Sequence, residues 1–174
     1  MVKLPLTFFD RPTELVAREL LGKTLVRRHG KKIWREIITE VEVYDGFDDR
    51  ASHAAKGKTE RNKHMYGPAG YWYIYLVYGM YWMLNIVTRE NGYPAAILIR
   101  GTENFSGPGV LTRSMKIDKN QNGLKCNKES GLWIEEGVKI EPSQVKNGPR
   151  IGVHYAGPKW SKHPWRFWID SKFL

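Results

Sequence analysis

Hydrophobic positions along the chain follow two periodicities, one typical of helices and one typical of strands. Residues 16–21 place apolar side chains four positions apart, which gives one apolar helical face. We predict that this helix begins near Asp10, a candidate N-cap, and ends before Gly22, a common C-terminal stop.

Segment 34–44 instead alternates with period two, as expected of a strand. Strict alternation places Ile38, Glu40, Glu42 and Tyr44 on one face, so that face is not plainly apolar. The opposite face carries Ile37, Thr39, Val41 and Val43. Composition predicts further strands at 24–28, 71–77, 81–88, 94–100, 132–134, 150–153 and 166–169.

Turn and loop signals separate these elements. Residues 78–80 read as the tip of a hairpin, and a short helix is predicted at 110–116 after Gly107. Segment 45–68 is a long polar loop, which is typically either disordered or functional. The pattern predicts one α+β domain over residues 1–174, mainly an antiparallel curved β-sheet with flanking helices and a protruding β-hairpin.

The charge of the chain indicates what kind of partner it binds. The chain of 174 residues has a formal net charge of +10, with basic residues clustered at 27–32, 56–63 and 116–128. Basic residues spread over a folded domain favour a polyanion such as duplex DNA, although a merely solubilising surface has the same composition.

Other classes are disfavoured by the same composition. Cys126 is the only cysteine and reads as an incidental exposed thiol, so neither an internal disulfide nor a cysteine-rich zinc site is expected. The five histidines form no HExxH pattern, and we expect no metal and no cofactor. The beginning of the chain lacks a long apolar run, and the uncharged segment 71–87 is too short and too aromatic for a membrane span.

Candidate chemistry lies where the alternating strand meets the polar loop. Glu42 and Tyr44 share a strand face, and His53 follows in the loop, as in a hydrolytic pocket. Spacing alone favours an ordinary surface carboxylate at Glu42 over a catalytic one. For His53, spacing favours an ordinary loop histidine and a functional one equally. Tyr71, Tyr73 and Tyr75 alternate on one strand, which suits either a base-stacking platform or a tyrosine-rich core. Tyr78 at the hairpin tip could wedge into a base stack.

Taken together, these residues resemble the alkyladenine (3-methyladenine) DNA glycosylase family. The resemblance covers the chain from about Phe9 to Ile169 and depends on the order and spacing of many short motifs. They are residues 17–22, 38–44, 51–53, 61–62, 73–81, 98–100, 107–109, 150–153 and 164–167, with Met65 and Asn85.

The resemblance implies roles for individual residues. Glu42 corresponds to the general base that activates water, Arg100 helps to hold that water, and the main-chain carbonyl of Ile151 is a third contact. The damaged base is expected to bind among Tyr44, His53, Tyr75, Asn85 and Ala51. Tyr78 is expected to fill the gap left in the duplex, with Met80 and Tyr81 as neighbouring DNA contacts. The resemblance also implies an intracellular, monomeric protein that is associated with DNA.

This family hydrolyses the N-glycosidic bond of a purine flipped out of double-stranded DNA, and 3-methyladenine, 7-methylguanine, hypoxanthine and ethenoadenine are the candidate substrates. Two departures from the family stand out. Val110 follows Gly-Pro-Gly where the family usually has lysine, and only residues 101–106 remain where it usually has a longer helical segment. Two other functions stay open, a non-catalytic binder of distorted DNA and a hydrolase of nucleosides or RNA.

Overall fold

The computed structural model describes residues 2–174, which form three α-helices and eight β-strands; Met1 lies outside them. The helices are α1 (Thr13–Leu20), α2 (Pro108–Ser114) and α3 (Gly157–Ser161). The strands are β1 (Thr24–His29), β2 (Lys32–Asp45), β3 (Trp72–Val77), β4 (Tyr81–Val87), β5 (Ala95–Thr102), β6 (Leu132–Glu135), β7 (Lys146–Gly148) and β8 (Arg166–Trp168). The predicted α+β class is confirmed.

The strands join in one sheet through antiparallel pairing in the order β3-β4-β5-β2-β1-β6, and β8 pairs with both β2 and β7. Strand β2 is long enough to pair with β1 along its first half and with β5 along its second half. The β3–β4 hairpin therefore lies at one side of the sheet, and the β1–β2 turn belongs to the other.

Alternating side chains give the sheet two different faces. Odd-numbered residues of β2 and β5, such as Val41, Val43 and Ile97, join the main apolar core together with α1 and α2. The even-numbered residues between them, such as Tyr44 and Ala96, belong to a second cluster under the loop at 45–68. Because successive strand side chains point to opposite faces, this second face collects the polar and aromatic residues of the site.

The loop at 45–68 is built from short turns and contains two 3₁₀ helices, His53–Lys56 and Lys63–Tyr66. The buried side chain of Asn62 donates to the carbonyls of His53 and Gly57, at 3.0 and 2.9 Å. A buried amide that is satisfied in this way fixes the path of the loop over the sheet.

Three local predictions were wrong. Asp10 does not cap α1, because Pro12 is the residue that precedes the helix. Residues 150–153 form a turn, with Gly152 at a φ of 75°, rather than a strand. Cys126 is buried in the core rather than exposed, and burial raises its pKa to about 12.

The strict alternation predicted for β2 also fails near Glu40. The register of β2 against β5 is irregular on both sides of Glu40, which lies opposite Gly101 and leaves Arg100 without a cross-strand partner. Ile38, predicted on the face of Glu42, packs in the same core cluster as Val41 and Val43. Such irregularities are common beside active sites, where they re-aim a side chain.

Candidate active site

A pocket lies on the sheet face opposite helices α1 and α2, beneath the loop at 45–68. Its cavity volume is about 50 Å³, well below the range of roughly 300–1,000 Å³ that is usual for small-ligand pockets. Four strands and two loops line it with Tyr44, Ala51, Ser52, His53, Met65, Tyr73, Tyr75, Asn85, Ala96 and Tyr155. Five residues predicted to hold the base, Tyr44, Ala51, His53, Tyr75 and Asn85, are thus brought together.

One wall of the pocket is a cluster of three rings. The ring of Tyr75 lies 4.5 Å from that of His53 and 5.2 Å from that of Tyr73, measured between centroids. His53 Nδ1 is 2.8 Å from the Tyr73 hydroxyl. Burial, and secondly the charge of Arg61, lower the pKa of His53 below 6.5, so the ring is neutral near pH 7. Tyr71 is not among the pocket residues and instead pairs with Lys125.

Tyr44 forms part of another wall, and a buried ion pair supports it. The guanidinium of Arg150 lies 4.8 Å from the centre of the Tyr44 ring. Asp49 binds that guanidinium through both carboxylate oxygens, at 2.6 and 2.8 Å, and both side chains are fully buried. Arg150 also donates to the carbonyl of Val43, at 2.8 Å. The pair therefore ties the pocket loop and the turn at 150–153 to β2.

Asn85 contributes an acceptor to the pocket. Its side-chain nitrogen donates to the carbonyls of Tyr73 and Met83, each at 3.1 Å, which uses both amide hydrogens. The amide is buried and held on two strands, so its position is rigid. Its oxygen remains as the group that Asn85 can present to a ligand.

Glu42 lies next to this pocket and is completely buried. The Tyr44 hydroxyl donates to one carboxylate oxygen at 2.9 Å, and the backbone N–H of Ile151 donates to the other at 2.7 Å. Arg100 is 3.4 Å from that second oxygen. Burial raises the pKa of Glu42 above 4.5, while Arg100 and the two donors oppose the rise.

The three residues assigned to water activation therefore meet at one point. Arg100 reaches Glu42 because the irregular register leaves it unpaired on β5. Ile151 is brought to Glu42 by the turn, but its N–H contacts the carboxylate, whereas the resemblance implied a role for its carbonyl. A carboxylate with a raised pKa beside a cation is a chemically suitable general base.

Tyr155 joins two loops at the mouth of the pocket. Its side chain is 71% exposed, yet its hydroxyl donates to the carbonyl of Ala51 at 2.8 Å. A pocket-lining carbonyl is thus held in place by a residue on the rim.

The predicted DNA contacts lie apart from the pocket, on the β3–β4 hairpin. Tyr78 is 89% exposed and Met80 is 64% exposed, and Tyr81 follows at the start of β4. A Cβ added at Gly109 would come within 2.5 Å of the Tyr81 ring, so the glycine lets α2 approach that ring closely. Val110, which stands where the resemblance expects lysine, is half exposed.

Residues 101–106 form a tight turn where the resemblance expected a longer segment. Gly101 bridges to Ser106, and Thr102 donates to the carbonyl of Phe105 at 3.0 Å. The turn is held on β2 because Thr102 and Asn104 both donate to the buried carboxylate of Glu36. The short connection is therefore closed and pinned.

No group of three or more potential metal ligands occurs within residues 2–174. In the same part of the chain, no helix is both long and apolar enough to cross a membrane.

An aromatic pocket beside a buried carboxylate and an exposed hairpin in a basic protein define a class of enzyme that acts on one base of a nucleic acid. Comparison with known proteins identifies the family within this class. The family model for methylpurine-DNA glycosylase (MPG) matches residues 7–106 and 102–173, and the two matches overlap at the short turn.

Similar proteins are named as 3-methyladenine DNA glycosylases. One from Legionella pneumophila (strain Corby) is 45% identical, with 100% of this chain and 98% of the relative covered. One from Methanocella arvoryzae is 43% identical, with 97% and 92% covered, and one from Myxococcus xanthus is 42% identical, with 98% and 92% covered. The chain belongs to the methylpurine-DNA glycosylase family and is a DNA glycosylase.

Some residues that organise the site were not identified from the sequence. Glu40 binds Arg100, Asp49 binds Arg150, and Tyr155 closes the pocket rim. Asp49 and Tyr155 lie in irregular segments, where no periodicity indicates the direction of a side chain. Alternation did place Glu40 on the same strand face as Glu42. A second carboxylate so near the candidate base was therefore the sequence signal that could have identified Glu40 as part of the site.

Proposed function

We propose that this DNA glycosylase is monofunctional and acts in base excision repair. It flips a damaged purine from duplex DNA and hydrolyses the N-glycosidic bond with a water activated by Glu42, leaving an abasic site. Candidate bases are 3-methyladenine, 7-methylguanine, hypoxanthine and ethenoadenine. The observation that carries the proposal is the buried Glu42 carboxylate, held by Tyr44, Ile151 and Arg100 beside an aromatic pocket.

The electrostatics of the pocket suit an alkylated purine. Alkylation at a ring nitrogen makes the base cationic, and the faces of Tyr44 and Tyr75 attract cations. The Arg150 charge behind Tyr44 does not oppose this attraction strongly, because Asp49 neutralises it. The neutral His53 ring adds no positive charge to the pocket wall.

Glu42 can serve twice along the reaction. As the bond to the base lengthens, the sugar gains oxocarbenium character, which a nearby carboxylate stabilises. The same carboxylate then accepts a proton from the attacking water. A cationic base leaves without further protonation, so no second carboxylic acid is required. No amine nucleophile takes part, so the DNA strand stays intact until it is treated with alkali.

Base release from duplexes that each contain one candidate lesion tests the proposal. Wild-type protein should generate sites that break only after alkali, and Glu42→Gln should lose at least about 10²-fold of the single-turnover rate, within the usual range for a general base. Glu36→Gln is the matched control, since Glu36 is a buried carboxylate on the same strand bound to Thr102 and Asn104.

Each rival function has its own outcome in this experiment. Tight binding of all four duplexes with no base release would establish a non-catalytic binder. Equal release from the corresponding nucleosides or RNA would establish a hydrolase that does not need a duplex. Equal turnover by Glu42→Gln and the wild type would remove Glu42 from the mechanism.

A further inference from the structure

A second carboxylate, Glu40, lies two residues before Glu42 on β2 and contacts the same arginine. Glu40 Oε1 is 3.3 Å from Arg100 Nε, while Arg100 NH1 is 3.4 Å from Glu42. The planar guanidinium is thus shared edge to edge between two carboxylates. A guanidinium held at two edges loses the freedom to rotate away.

Glu40 also binds Arg166, from β8, at 3.1 Å. Arg166 in turn donates through its Nε to the carbonyl of Pro149, at 3.0 Å. Pro149 is two residues before Ile151, whose N–H donates to Glu42. Glu40 is therefore connected to both groups that bind the second oxygen of Glu42, through Arg100 on one side and through Arg166 on the other.

The backbone brings this arrangement about at one irregular point in the sheet. Glu40 pairs with Gly101 on one side and with Trp168 on the other, and the irregular register on both sides of Glu40 leaves Arg100 unpaired. The two arginines thereby approach Glu40 from neighbouring strands. Glu40 is partly buried, with 21% of its side chain exposed, so its charge is only partly screened.

We propose that Glu40 is a positioning residue for the glycosylase reaction, which fixes Arg100 and the turn at 149–151 around the Glu42 carboxylate. It does not line the base pocket, so it acts through its two arginines. The inference rests on the proposed role of Glu42 as the general base.

The charge of Glu40 gives this role a measurable signature. Its negative charge adds to burial in raising the pKa of Glu42, while Arg100 lowers it. The charged and titratable groups around Glu42 are Arg100 from β5, Arg166 from β8, Glu40 and Tyr44 from β2, Tyr75 from β3, Tyr155, and the Asp49–Arg150 pair behind Tyr44. Among these, Glu40 is the carboxylate that shares Arg100 with Glu42.

Two variants separate charge from anchoring. Glu40→Gln keeps an acceptor for the arginines but removes the like charge, so the pKa of Glu42 should fall and the acid limb of the single-turnover rate should move to lower pH. Glu40→Ala removes the anchor as well, and the rate at neutral pH should fall by roughly 10- to 10²-fold, as for a displacement of about 1 Å. Substrate affinity should change little in either variant.

Glu36→Gln and Glu36→Ala are the matched controls, because Glu36 of β2 also binds two partners, Thr102 at the end of β5 and Asn104 in the following turn, without contacting Arg100. Titration of ¹³C-labelled glutamate carboxyls by NMR reports the pKa of Glu42 without requiring turnover. An unmoved Glu42 titration in Glu40→Gln, or equal rate losses in the two alanine variants, would overturn the role of Glu40. A wild-type protein that releases no base would instead overturn the proposed function, while the NMR titration would still test Glu40.

Discussion

The hydroxyl of Tyr44 connects the wall of the pocket with the candidate general base. Its ring lines the pocket, while its hydroxyl donates to Glu42 at 2.9 Å. That hydrogen bond favours the ionised carboxylate and opposes the effect of burial on its pKa. A residue that stacks on the base would thus also determine how readily Glu42 is deprotonated.

We predict that Tyr44→Phe moves the acid limb of the pH–rate profile to higher pH. The variant keeps the aromatic face but removes a donor, so the pKa of Glu42 should rise further above 4.5. Because the base must be ionised to accept a proton, activity is lost as pH falls through that raised pKa. Single-turnover rates from about pH 4 to 9 measure the shift, and the plateau at high pH should change much less.

Tyr75→Phe is the matched control for this shift. Tyr75 lines the same pocket but donates no hydrogen bond to Glu42. Its variant should leave the acid limb in place. If both variants moved the limb equally, the hydroxyl of Tyr44 would have no special relation to Glu42.

At the residue scale, the sequence identified the chemistry but not all of its supports. Glu42, Tyr44 and Arg100 were placed through their motifs, and the structure brings them within hydrogen-bonding or ion-pairing reach. Their roles in catalysis stay predictions. The contact of Arg100 with Glu42 could not be derived from strand periodicity, because it depends on a register irregularity between β2 and β5, which are separated by a long stretch of chain.

At the scale of elements, the β3–β4 hairpin contains an unfavourable residue at its tip. Tyr78 and Gly79 have φ values of 50° and 66°, the left-handed conformation of both central residues in a type I′ turn. Gly79 suits that conformation, but tyrosine does not, and a non-glycine residue there costs about 1–2 kcal/mol. Such a cost at an exposed position is consistent with a functional use of the side chain.

We predict that Tyr78→Asn stabilises the protein and impairs it on duplex DNA. Asparagine tolerates the left-handed region, so the free energy of unfolding should rise by up to about 1 kcal/mol, which thermal unfolding can measure. Release of the same lesion from a duplex should slow, because nothing fills the gap left by the flipped base. Release from a single strand should change little.

Tyr78→Phe separates the two effects. It keeps the large ring in the left-handed conformation, so both stability and duplex turnover should remain close to those of the wild type. An Asn variant with full duplex activity would show that the hairpin tip does not enter the base stack.

The loop at 45–68 and the turn at 150–153 depend on each other through Asp49 and Arg150. We predict that Asp49→Asn lowers the free energy of unfolding by about 3–5 kcal/mol, because it leaves a buried guanidinium without its counter-charge. Urea unfolding at pH 7 measures the loss. Asp170→Asn, which breaks the exposed pair with Lys146, should cost at most about 1 kcal/mol. Equal losses would contradict the importance of burial.

This ion pair also explains an incorrect prediction. Residues 150–153 have the apolar and β-branched character of a strand, yet Arg150 turns inward to Asp49, which lies 101 positions earlier. Long-range pairing of this kind leaves no local signal in the sequence. Helix α1 and most of the predicted strands were correct because their periodicity is itself the consequence of lying on a core face.

At the scale of the whole molecule, duplex binding could depend on the net charge or on where the basic residues lie, and the two cases predict different effects of substitutions. The net charge of +10 is a property of the entire chain, whereas the pocket and hairpin lie on one part of it. Lys56 ends the 3₁₀ helix that begins with His53, in the pocket loop. Lys31 lies in the β1–β2 turn, on the other side of the sheet from the hairpin. Both are exposed, and neither forms an ion pair with a described residue.

Lys56→Glu and Lys31→Glu change the net charge equally, by two units each, so they form a matched pair. If DNA follows the pocket face, Lys56→Glu should weaken duplex binding and reduce the slope of log K against log salt by about 0.9, the contribution of one phosphate contact. Lys31→Glu should leave that slope unchanged. Equal effects of the two substitutions on fluorescence anisotropy titrations at 50–200 mM salt would mean that net charge, rather than a basic face beside the pocket, attracts the duplex.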